Sequence, residues 1–121
     1  MSGKLVNEFY AFLKDREFED LSDIFEENAS VFFPGVSNSS GIYMGRDKIK
    51  RFFKKLISLV PDLHFETVRI IASASFACVE WSASGNTRRG GLVLKTGVSV
   101  FEFGSEGIIS MNNYISSGKL M

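Results

Sequence analysis

Apolar side chains recur at Leu5, Phe9, Phe12 and Leu13, the i, i+4, i+7, i+8 spacing that gathers residues on one helical face over Lys4–Leu13. A polar connection, KDREFED, follows, and Phe18, Leu21, Ile24 and Phe25 repeat the stripe in a second short helix over Glu17–Phe25. The period then changes. Val31, Phe32 and Phe33 favour a strand, which Pro34-Gly35 stops, and VSNSSG reads as a loop. Arg46–Leu59 gives the clearest helix, with Ile49, Phe52, Phe53, Leu56 and Ile57 as a broad apolar stripe and Pro61 just past its end. From Leu63 onward the pattern is extended: LHFETVRII, FACVEWSAS, the long Gly-interrupted GLVLKTGVSVFEF, and IISMNNYIS, joined by short turns. The glycine inside the third of these predicts a bent or bulged strand. Three helices followed by four long strands predict an α+β domain, an antiparallel sheet with helices packed on one face, over residues 1–121 as one unit.

Composition changes this picture in three places. The chain is 45% hydrophobic with twelve phenylalanines, which implies either a strongly aromatic core or an apolar cavity wrapped by one. Fourteen basic and fourteen acidic residues cancel, so no global charge steers the chain to nucleic acid or anionic membranes. The basic face of the Arg46–Leu59 helix therefore reads as a solvated face, and no nucleic-acid partner is expected. The single Cys78 excludes an internal disulfide and a cysteine zinc cluster, and its apolar run predicts a buried thiol. The start, MSGKLVNEF, shows no apolar leader core, and no run nears the ~18 residues of a membrane span. The expectation is a soluble cytoplasmic protein with no membrane contact. Glu66, Glu80 and Glu102 show no metal-ligand spacing, and neither metal nor cofactor is expected. GIYMGRDKIKRFF lacks the Gly-Lys-Ser/Thr ending of a phosphate loop, and reads as a short strand turning at Gly45 into a helix. NTRRGG reads as a hairpin with a basic tip.

The order of these elements, with EFYAFLKDREFEDLSDIFEENASVFFPG, GIYMGRDKIKRFFKKL, VPDLHFE, VEWSASGN, KTGVSVFEF and EGIISMNNYIS, resembles the nuclear-transport-factor-2-like superfamily. Within it the chain resembles the SnoaL-like polyketide cyclase and ketosteroid isomerase branch. The resemblance implies a cone: a strongly curved sheet wrapped around three N-terminal helices, with a pocket at one end and a homodimer through the outer sheet face. The isomerases remove a proton beside a carbonyl with a carboxylate base, while a tyrosine and a protonated acid hold the enolate oxygen. The resemblance places these three groups at Phe9, Phe33 and Ser99, so the carboxylates and the tyrosine are replaced. The epoxide-hydrolase branch uses two aspartates bridged by an arginine, and the resemblance places those positions at Trp81 and Ala83, with Asn113; the last strands, where cyclases carry an acid, offer Asn112, Asn113, Tyr114 and Ser116.

Strand alternation groups Val79, Trp81 and Ala83; Ser99, Phe101 and Phe103; and Ile109, Met111, Asn113 and Ile115 on single faces. The resemblance turns these faces toward the helices. The expected pocket lining is Phe9, Phe33, Tyr43, Trp81, Ser99, Phe101, Met111 and Asn113, mostly apolar walls with sparse polar contacts. Three functions stay open. One is binding of a small apolar or aromatic organic ligand. Another is an isomerase or cyclase with a non-standard acid or base drawn from His64, Tyr10 or Asn113. The third is a non-catalytic dimeric interaction module.

Overall fold

The computed structural model describes residues 2–34 and 41–116. The predicted loop VSNSSG lies outside them at 36–40, and its last residue, Gly41, opens a strand. The chain runs α1 (Ser2–Lys14), α2 (Phe18–Asp23), β1 (Phe25–Phe33), β2 (Gly41–Met44), α3 (Arg46–Leu59), β3 (His64–Ala72), β4 (Phe76–Asn86), β5 (Leu92–Phe103) and β6 (Ile108–Ile115). The six strands form one curved, unclosed sheet in the order β2-β1-β6-β5-β4-β3, with the helices drawn from the N-terminal half.

The four long strands pair antiparallel, as the short turns between them require. β1 is different: it runs parallel to β6, through Val31↔Met111 and Phe32↔Asn112, and antiparallel to β2. The sheet is therefore mixed at one seam. Two boundaries move with it. The helical stripe predicted to Phe25 ends at Asp23, and Phe25 opens β1 opposite Ile108, completely buried. The polar run Glu26–Ser30 belongs to β1 as well, although its sequence has no strand period. The run lies in the register shift between the Phe25↔Ile108 and Ser30↔Ser110 pairs, and the pairing at its two ends holds it extended.

Gly45 turns the chain from β2 into α3 at φ 91°, a conformation that favours glycine, and its N–H donates to Ala29 O. Arg46 Nε donates to Phe25 O and fixes the start of α3 on β1. α3 then buries Ile49, Phe52, Phe53 and Leu56. α1 buries Val6, Phe9 and Leu13, a stripe turned slightly from the predicted one. Phe9 sits where the layers meet. Its ring lies 5.5 Å from Phe53 of α3, 6.1 Å from Phe25 of β1 and 5.6 Å from Phe101 of β5, all edge-on.

The glycine inside β5 makes no bulge against β4. The β4–β5 register runs unbroken from Phe76↔Glu102 to Asn86↔Leu92, and Gly97 faces Trp81 within it. A Cβ at Gly97 would come within 2.5 Å of the Trp81 ring and 2.7 Å of Tyr114 O. The glycine is a seat for the indole. The irregularity in β5 lies instead between Glu102 and Phe103, against β6. That shift turns Ile109 outward, where it is exposed, contrary to the alternation read from sequence. Cys78 also differs from expectation: Ala77 and Val79 take the inner face, so the thiol between them is exposed on the outer one.

Candidate functional site

A cavity of about 390 Å³ lies between the C-terminal end of α3 and one end of the sheet. Helix α3 contributes Leu56, with Val60 at its end, and the following connection adds Leu63. Phe33 and Pro34 close one side at the end of β1, while Phe65, Trp81 and Ala83 from β3 and β4 form the wall. Val93 and Lys95 of β5, with Ile115 and Ser116 at the end of β6, complete it. Among the described residues the lining is apolar apart from Lys95 and Ser116 and contains no acidic side chain.

The connection after α3 is held in place by polar ties. Arg16 donates to Pro61 O and Leu63 O, and the Asp62 carboxylate accepts from the Asn86 backbone and side chain. These Asn86 contacts hold the Asp62 carboxyl below its usual range. Arg88, at the basic hairpin tip, donates to Ser58 O at 2.7 Å. Gly85 lets β4 approach closely, since a Cβ there would lie 2.6 Å from Val60.

The predicted site residues divide into three groups. Phe33 and Trp81 stand in the cavity wall. Phe9, Phe101 and Met111 do not: they are buried in the packed core behind it, because α1 and α3 fill the middle of the sheet's inner face. Tyr43 lines a separate groove of about 320 Å³ on the other side of Leu56, stacked on Phe52 at 4.5 Å beneath Lys48, Arg51 and Lys55. Among the candidate acids and bases, His64 opens β3 on the exposed outer side, 3.9 Å from Glu66. Opposite Ser84 in the ladder, its side chain belongs to the face turned away from the cavity.

Ser99, Asn113, Tyr10 and Trp81 do come together, but beneath the cavity floor. Trp81 Nε1 donates to Ser99 Oγ at 2.8 Å, Ser99 donates to Asn113 Oδ1, and Asn113 Nδ2 donates to Phe32 O at 2.9 Å. Ser99 and Asn113 are sealed from solvent. Each polar atom of this chain has a fixed direction, so the Ser99 proton is committed to Asn113. The arrangement locks the indole in orientation, and Trp81 is the partition between the polar chain and the open cavity.

Tyr10 reaches the same chain from α1, edge-on to Phe9 at 4.9 Å. Its hydroxyl is shut away from solvent and makes no hydrogen bond of good geometry, although Ser99 is close enough to influence it. Burial pushes the phenol well above its ordinary value and Ser99 pulls it partly back. The neutral form is thus favoured more in the folded chain than in the unfolded one. Stability present below a tyrosine's usual pKa of about 10 is lost as pH rises beyond it, by up to ~1.4 kcal/mol per pH unit. Tyr10→Phe is expected to stay within about 1 kcal/mol of the parent at pH 7 and to remove this alkaline loss. Urea midpoints at pH 8 and pH 11 check it; parallel declines in the two proteins would contradict the burial of an ionisable phenol.

Sequence reading missed Leu56, Val60, Leu63, Phe65, Val93, Lys95 and Ser116. Part of the signal was present. Extending the β5 alternation back from Ser99 gives Gly97, Lys95 and Val93 on the inner face. Nothing local tells that the α3 end stands off from the sheet. Among the described residues no group of three or more His, Cys, Asp or Glu side chains is placed to hold a metal, and no helix is long and apolar enough to cross a membrane.

The curved, unclosed sheet with its N-terminal helices has the nuclear-transport-factor-2-like fold. The SnoaL-like domain family matches residues 6–111, and the chain belongs to that family. Solved structures agree on the fold. One is a nuclear-transport-factor-2-like protein from Anabaena variabilis, 18% identical over 96% of this chain and 87% of that one, with a TM-score of 0.82. TerC, crystallised with polyporic acid, is 15% identical over 94% and 90%, with a TM-score of 0.83. SalBIII, an epoxide hydrolase/cyclase-like enzyme in pyran ring formation of the polyether salinomycin, is 19% identical over 94% and 89%, with a TM-score of 0.80. None of the curated proteins compared with the chain matches it.

Proposed function

We propose that this protein binds a small, largely apolar organic ligand in the cavity between α3 and the β4–β6 end of the sheet. One observation carries the reading: about 390 Å³ of space walled by Phe33, Leu56, Phe65, Trp81 and Val93, within the range of small-molecule sites. Among the described residues the wall offers shape and apolar area but no carboxylate side chain to abstract a proton. The buried Ser99–Asn113 pair spends its hydrogen bonds on Trp81 and the backbone, which favours binding over enolisation. That TerC was crystallised with an organic acid fits a ligand-holding use of this fold.

The test is a thermal-shift screen of fused-ring and aryl compounds. A ligand with Kd a hundredfold below its concentration adds ~2.7 kcal/mol of stability, a shift of several degrees. No shift from any apolar compound would refute the reading. A ketone whose α-proton exchanges in deuterated water above background would restore the isomerase or cyclase alternative.

A second reading concerns assembly. The outer sheet face exposes Ile71, Phe76, Leu94 and Tyr114, more large apolar groups than a solvated face needs. We infer a homodimer through this face. A monomer by light scattering at micromolar concentration would overturn it.

A further inference from the structure

The cations of α3 are not spread evenly around it. Lys50 reaches Glu19 of α2 at 2.9 Å, and Arg46 is held by Phe25 O. Lys48, Arg51 and Lys55, spaced i, i+3, i+7, share another side of the helix and line the groove of about 320 Å³ beside β2. All three are exposed. Among the described residues none of them makes an ion pair, and the groove lining contains no acidic side chain. Asp47 meets Arg51 through its backbone carbonyl, 3.5 Å from Nε. Lys48 with Arg51, and Arg51 with Lys55, are like-charge neighbours on one helix, which costs stability that an anion in the groove would offset. The floor between them is aromatic: Tyr43 of β2 stacks on Phe52 with ring centres 4.5 Å apart and planes 28° from parallel. Leu59 closes one end and is 44% exposed.

We propose that this groove is a second binding site, separate from the cavity, for a small aromatic phosphate monoester. The ring packs against Tyr43 and Leu59, and the phosphate sits among Lys48, Arg51 and Lys55. Each half of the ligand has its own cause. Arg51 offers a planar fork that matches phosphate oxygens, and the two lysines add point charges, so the set suits a dianion better than a single carboxylate. The aromatic floor and the exposed Leu59 give the ring a face to cover. The ligand needs the tyrosine ring and makes no demand on its hydroxyl. A volume at the lower end of small-molecule sites holds one ring system with its phosphate, which favours a small ester over a polymer.

Equilibrium dialysis with 1-naphthyl phosphate, 1-naphthol and inorganic phosphate tests this. At low salt the ester should bind about tenfold tighter than either fragment, since it alone uses both the ring surface and the cations. Lys48→Gln combined with Lys55→Gln should weaken the ester about tenfold and leave naphthol unchanged; both side chains are exposed, so the fold is kept. Arginine at the same two positions should preserve ester binding, and high salt should weaken it. Ester binding that the paired glutamines leave unchanged would overturn the proposal, as would no ester binding at all. Inorganic phosphate binding as tightly as the ester would remove the ring from the site and overturn it too. Ester binding lost in Val93→Phe and kept in the paired glutamines would place the probe in the cavity, against the proposal but in favour of the cavity reading. A short oligothymidine binding more tightly than the ester would assign the groove to single-stranded nucleic acid and also refute the small ligand.

Discussion

Phe9→Ala lowers the unfolding free energy by roughly 3–5 kcal/mol, among the largest losses expected from a single truncation in this chain. Phe9 is 1% exposed and its ring makes edge contacts with Tyr10, Phe25, Phe53 and Phe101. Those partners come from α1, β1, α3 and β5, so the void left by alanine borders every layer. Collapse from one side would pull another apart, which keeps the cavity cost high. Each aromatic pair also adds about 0.5–1.5 kcal/mol beyond buried area. Urea unfolding at pH 7 reads the effect, and a loss below about 1.5 kcal/mol would show that Phe9 is not the hub. Since Phe9 does not line the cavity, ligand affinity in the surviving folded fraction should be unchanged.

Trp81→Ala should cost a similar ~3–5 kcal/mol and, unlike Phe9→Ala, weaken ligand binding as well. The indole is 3% exposed, forms one wall of the cavity, and donates to Ser99. Its removal merges the cavity with the space above Ser99 and strips that hydroxyl of its donor. Trp81→Phe separates the contributions. It keeps an aromatic face but loses the N–H together with part of the indole ring, so a drop of about 1–3 kcal/mol is expected with part of the ligand affinity retained. Denaturant midpoints and ligand titrations on the two variants check this together. Equal loss of binding in both would mean that the site needs the whole indole and that a phenyl ring does not replace it.

Much of the fold was legible because helical and strand periods are local. The stripe Ile49, Phe52, Phe53, Leu56 announced α3, and alternation through Val79, Trp81 and Ala83 gave the inner face of β4. What failed was set by distant partners. Phe25 looks helical beside Leu21 and becomes a strand only because Ile108 lies opposite it. Ile109 turns outward through a register shift that its own sequence does not signal. The site shows the same division. The residues at Trp81, Ser99 and Asn113 were visible by alternation, and they do meet. Whether they faced space or core depended on how far α3 stands from the sheet. The answer divides them: Trp81 borders the space, and the other two are closed beneath it.

The indole of Trp81 and the missing side chain of Gly97 also constrain how the binding site can evolve. Any side chain at 97 collides with the ring, while removing the ring first leaves a hole and takes from the Ser99 oxygen the hydrogen bond it accepts. Both one-step routes away from this pair descend in stability before a second change can compensate. The floor of the cavity is therefore frozen against gradual change. Drift toward a different ligand must run through the rim, at Val93, Lys95 and Phe65, where single substitutions alter the mouth and leave the foundation in place.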